Sequence, residues 1–173
     1  MGLTTSAGAP ARLARTRMGE RVGGFIYGTI VALSVIVAGA RAYPHGPGHI
    51  ALLVAVTCVI FWLTHVYAHG LGHAVAREEH LTRAELAQIA RREGSIVEAA
   101  VPPVAVLLLG AVGLLSTDAA VWLAFGSGLV VLVAQGLVFA RVEHLGPLAT
   151  FAVASANLSL GLLLAALKLL LSH

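Results

Sequence analysis

The stretch from Ile50 to His73, IALLVAVTCVIFWLTHVYAHGLGH, decides what kind of molecule this is. From Ile50 to Thr64 it carries no charged side chain. With the turns that follow it reaches the roughly 20 residues needed to cross the ~30 Å hydrocarbon core of a bilayer. His65, His69 and His73 follow at four-residue intervals, which places them along one stripe of a helix. Ionisable groups inside or at the rim of a membrane are costly, so they pair with other groups or serve an ion path.

The rest of the chain has the same character. Its 173 residues are 58% hydrophobic and 11% charged, with a mean hydropathy of +0.91. A soluble domain carries about a quarter charged residues, so this chain cannot cover a water-facing surface. We therefore predict an all-α, polytopic transmembrane helical bundle. Residues 1–21 form a polar, Arg-bearing and flexible leading segment, and residues 22–173 form one transmembrane domain.

Five spans are predicted, at about 22–40, 50–70, 96–115, 119–140 and 148–171. No period-two alternation suggests a barrel, and in lipid the backbone must satisfy itself, so the spans are helices. Pro44, Gly46, Pro47 and Gly48 separate the first two, and Gly146-Pro147 separates the last two. Ser116, Thr117 and Asp118 offer N-cap side chains for the fourth. Pro102-Pro103 should kink the third. The linker 77–94 reads as a short amphipathic surface helix, opened by a capping box at Thr82 and Glu85, with Leu81, Leu86 and Ile89 toward the membrane surface.

Charge sets the orientation. In the five-span reading Arg12, Arg15, Arg17, Arg21, Arg77, Arg83, Arg91, Arg92 and Arg141 share one side, against Arg41 and Lys168 on the other. The positive-inside rule puts that side, and the N-terminus, in the cytoplasm. Arg outnumbers Lys ten to one with abundant Ala, Gly and Val, a bias that suggests a high-GC bacterial genome and hence the bacterial inner membrane as location. A competing reading makes the first span a signal peptide, because Ala38-Gly39-Ala40 has the small-x-small form of a cleavage site. Gly24 and Gly28, a GxxxG pair suited to close helix packing, favour a retained helix and offer a face for homo-oligomerisation.

Candidate functional residues collect toward the basic side. Counting residues along each span places His65, His69, Glu98 and Gln135 in the inner leaflet, with Asn157 reaching toward the membrane centre. Such a cluster suits a proton or ion path, since histidine titrates near neutral pH. Histidines at i and i+4 also ligate one metal ion when a carboxylate completes the set. His65 and His73 lie about 12 Å apart along the axis. The metal sets are therefore His65 and His69 with Glu98, or His69 and His73 with Glu143 or His144, and a divalent transition metal is the cofactor they would take. The structural alternative makes these side chains interhelical hydrogen bonds, with Asn157 a packing contact.

Lone Cys58 excludes an intramolecular disulfide framework. No Walker A, GxSxG, HExxH or CxxC signature occurs, nor any nucleic-acid motif or convincing inverted repeat. Three functional classes remain. The favoured one is a small-cation or proton channel or transporter in contact with the lipid bilayer; the others are a metal-dependent enzyme acting on a lipid or quinone, and a non-catalytic membrane subunit.

Overall fold

The computed structural model describes residues 8–77 and 82–171. Residues 1–7 of the leading segment and Leu81 of the linker lie outside the described residues. The described chain is helical, in the order α1 (Gly8–Ala42), α2 (Pro47–Arg77), α3 (Arg83–Glu93), α4 (Ser95–Glu98), α5 (Val101–Ala111), α6 (Thr117–Val142) and α7 (Pro147–Leu171). Four helices are long and apolar enough to cross a bilayer, and the bent pair around α4 and α5 brings the number to five. The protein is a multi-pass helical membrane protein.

The helix ends follow local chemistry. Ser116 caps α6, its hydroxyl accepting the Ala119 N–H at 3.3 Å. The Thr82 hydroxyl accepts the Glu85 N–H while the Glu85 carboxylate accepts the Thr82 N–H, the reciprocal capping box that starts α3. Two boundaries differ from expectation. α2 continues to Arg77, about two turns past the expected end, and α1 already begins at Gly8, so the helix continues through the Arg-bearing segment expected to be flexible.

α1 is the central helix and packs against α2, α4, α6 and α7. Its Ala32, Leu33, Ile36 and Val37 join Ile50, Val54 and Cys58 of α2, Leu107 of α5 and Val121, Phe125 and Leu132 of α6 in one buried apolar core. The Ala38-Gly39-Ala40 triplet is helical here, with Gly39 packed close to Ile50. Leu52, Ile60, Val130, Leu148 and Leu163 lie exposed on the outside of the bundle. That distribution suits a molecule solvated by lipid.

The third crossing departs from the single kinked helix read from the sequence. The chain breaks between Glu98 and Val101, and the helical axis turns by 49° across the break. Pro102 and Pro103 stand in the first turn of α5, where a missing N–H leaves no intrahelical bond unmade. The prolines therefore start a new helix instead of bending an old one.

The halves still make one crossing. Ser95 and Ile96 lie against Gly24 and Gly28 near the basic end of α1, whereas Gly110 lies against Pro47 and Ala120 at the starts of α2 and α6. Residues 95–111 therefore travel from one end of the bundle to the other.

Gly24 and Gly28 explain how α4 fits. A Cβ on Gly28 would stand 2.5 Å from the Ile96 carbonyl oxygen and 2.8 Å from its Cα, and a Cβ on Gly24 would strike the Ser95 hydroxyl. The GxxxG face expected to serve a second copy is thus filled by α4 of the same chain. Close approach requires glycine at both positions.

Candidate polar site at the basic end

Three attachments hold the last turn of α3 to the bundle. The Trp62 indole N–H of α2 donates to the Ala90 carbonyl at 2.9 Å. His69 Nδ1, also on α2, meets a Glu93 carboxylate oxygen at 2.9 Å. Arg92 pairs with Glu20 of α1. The amphipathic helix predicted at the membrane surface is thus fastened by its C-terminal turn to α1 and α2.

The His69–Glu93 pair is asymmetric. The Glu93 side chain is 12% exposed and that of His69 is 58% exposed. A carboxylate mostly withdrawn from water needs a donor, and His69 supplies it. The pair is a salt bridge only while the imidazole is protonated.

One turn deeper along α2, His65 is half-buried. Its Nδ1 lies 2.9 Å from the Phe61 carbonyl. A carbonyl only accepts, so Nδ1 carries the hydrogen and Nε2 is the ring nitrogen left open. The ring sits 5.0 Å, centroid to centroid, from Tyr27 of α1 and 6.2 Å from the His69 ring. Tyr27, His65, His69 and Glu93 therefore form a row of titratable side chains from the inner half of the bundle to its basic end.

The residues expected to share that layer separate. Glu98 is bound by Arg21 of α1 at 2.8 Å, both side chains about half exposed. Arg21 is six residue steps, about 9 Å of rise, along α1 from the Tyr27 that touches His65, so Glu98 joins the basic rim. Gln135 is half-buried on α6 and makes no hydrogen bond to a described residue. Asn157 is 8% exposed in the seam between α6 and α7, where its amide donates to the Leu132 carbonyl at 3.2 Å. Its side chain joins α7 to α6.

Glu143 and His144 stand exposed at the turn from α6 to α7, with His144 in the left-handed region at φ 51°. Among the described residues no group of three or more His, Cys, Asp or Glu side chains is close enough to hold a metal ion. The sets His65/His69/Glu98 and His69/His73 with Glu143 or His144 are accordingly not assembled in this structure.

Between α1, α2 and α3 lies a cavity of about 650 Å³, with Arg21, His69, His73, Arg91, Arg92 and Glu93 in its walls. Glu93, Arg21, Arg92, Glu20 and Tyr27 are the participants that sequence reading missed. For Glu93 a signal existed. The capping box at Thr82 makes the linker a helix ending near residue 93, and a helix folded back on α2 brings that end to the histidine stripe. Tyr27 carries no such mark.

No family model matches the chain, and neither a curated protein nor a solved structure matches it significantly.

Proposed function

We propose that this is a proton-handling transport protein of the bacterial inner membrane, with the Glu93–His69–His65–Tyr27 row as its cytoplasmic uptake path. One observation carries the reading: the four side chains stand next to one another from the cavity at the basic end to His65 and the exposed Tyr27, deeper along α2 and α1. In this path a proton entering at Glu93 and His69 passes on to Nε2 of His65, whose ring centroid stands 6.2 Å from that of His69, a transfer for which a bridging water is required where the nitrogens do not meet directly. Three arginines in the cavity wall disfavour metal cations and leave the proton as the cation that histidines can pass on.

Beyond His65 the interior of the bundle is apolar, filled by Leu33, Ile36, Val54, Leu107 and Leu132. A transporter needs one side shut while the other is open, and the broken third span supplies an element that can shift without unwinding a continuous helix. The test is proton flux into proteoliposomes holding a pH-sensitive dye. Wild-type protein is expected to conduct under an imposed gradient, with His65→Ala and Glu93→Gln each lowering the rate at least tenfold. Equal flux with wild type, the variants and empty liposomes overturns the proposal.

A further inference from the structure

The cavity between α1, α2 and α3 holds groups that take no proton in the proposed path. Its walls hold three guanidinium groups (Arg21, Arg91, Arg92) and two carboxylates (Glu85, Glu93); Glu98 and Glu20 pair with Arg21 and Arg92, which leaves Arg91 as the guanidinium of the wall with no carboxylate partner among the described residues. The carboxylates are already engaged, Glu93 by His69 and Glu85 by the capping box of Thr82. Arg21 and Arg92 are held by Glu98 and Glu20, which fixes where their remaining N–H groups stand. Arg91 and His73 make no hydrogen bond or ion pair with a described residue.

We propose that this cavity is a binding site for a phosphate-bearing anion, with Arg91 and His73 as its free donors and Arg21 and Arg92 as a pre-positioned rim. Guanidinium groups match phosphate oxygens in geometry as well as charge. A volume of about 650 Å³ exceeds what a bare phosphate needs and suits a phosphate carrying a small organic group.

Location favours a lipid headgroup as the source. His69 and His73 belong to the apolar stretch Pro47–Ala76, and the opposite wall is an amphipathic helix with no buried residue and with Leu86 exposed. The cavity thus opens where a membrane-spanning helix meets a surface helix, at the depth of headgroups. A free phosphate compound shares the chemistry, and the experiment separates the two. The site does not depend on the transport reading, because binding is measured without any gradient.

The test is the thermal midpoint of the full chain, which a ligand raises when it binds the folded state alone. One arm compares phosphatidylcholine nanodiscs with and without phosphatidylglycerol; the other compares inorganic phosphate with chloride at equal ionic strength in neutral detergent. The expected result is a rise of several degrees with phosphatidylglycerol that Arg91→Ala/His73→Ala largely abolishes and Arg83→Ala keeps. Arg83 lies on α3 outside the cavity walls, so it controls for general attraction of a basic surface. Arg91→Gln alone serves if the double variant does not fold. A rise with phosphate as well, lost in the same variants, assigns the site to a soluble phosphate compound. No rise with either probe, or equal rises in wild type and in the Arg91 variants, overturns the proposal.

Discussion

The Nδ1 of His69 and a carboxylate oxygen of Glu93 stand 2.9 Å apart, joining the last third of α2 to the final turn of α3. Twenty-four residues separate them in the chain (93 − 69 = 24). With Trp62 donating to the Ala90 carbonyl, the pair keeps the surface helix against the bundle and so gives the cavity its outer wall. Its strength depends on the protonation of one imidazole.

That dependence is measurable as a double-mutant cycle with His69→Ala and Glu93→Gln, read from thermal or denaturant stability. The coupling is expected to be on the order of 0.5–1 kcal/mol, the size for a partly exposed pair. It should be larger at about pH 5 than at about pH 9, because the partners carry opposite charge only when the imidazole is protonated. A coupling near zero at both pH values contradicts the role given to the pair.

Gly28→Ala should lower stability by roughly 1–3 kcal/mol, the range for overpacking a close contact. The new methyl meets the backbone of Ile96, and backbone cannot rotate aside as a flexible side chain can. Gly23→Ala, whose Cβ meets nothing within 4 Å, is the matched control and should leave the melting midpoint near wild type. Equal effects at the two positions would show that α4 does not seat on this face.

Asn157→Ala should cost about 0.5–1.5 kcal/mol, since interhelical hydrogen bonds in membranes average about 0.6 and reach about 1.7 kcal/mol. Proton flux should be unchanged, because the side chain serves the α6–α7 seam through the Leu132 carbonyl and lies outside the titratable row. A loss of flux without a loss of stability would return Asn157 to the site.

The five-crossing arrangement can be read by labelling. Cys58 is buried and is the sole cysteine, so Cys58→Ala supplies a clean background. His45→Cys, between α1 and α2, should react with an impermeant maleimide from outside intact cells. Ala87→Cys on α3 and Glu143→Cys after α6 should react only once the membrane is opened. Labelling of Glu143→Cys from the outside, on the face opposite to Ala87→Cys, would show that the α4–α5 segment re-enters and does not cross.

Sequence by itself determined the class, several helix breaks and caps, and the grouping of charge. Apolar length, proline and glycine breaks and capping side chains act within a few residues, so Ser116, the Thr82–Glu85 box and the Gly146-Pro147 break are all legible locally. The histidine stripe was legible too, because a helix has a fixed repeat.

Only the tertiary structure decided which partner each polar group took. Glu98 stood within reach of the histidines by residue counting, yet it pairs with Arg21, and Glu93 takes His69 in its place. Gly24 and Gly28 read as a face for a second copy, and α4 of the same chain fills it. These outcomes depend on how far one helix is rotated and shifted against the next. In an apolar bundle those two quantities are set by the sum of many small packing contacts, and no single residue's neighbours along the chain record it.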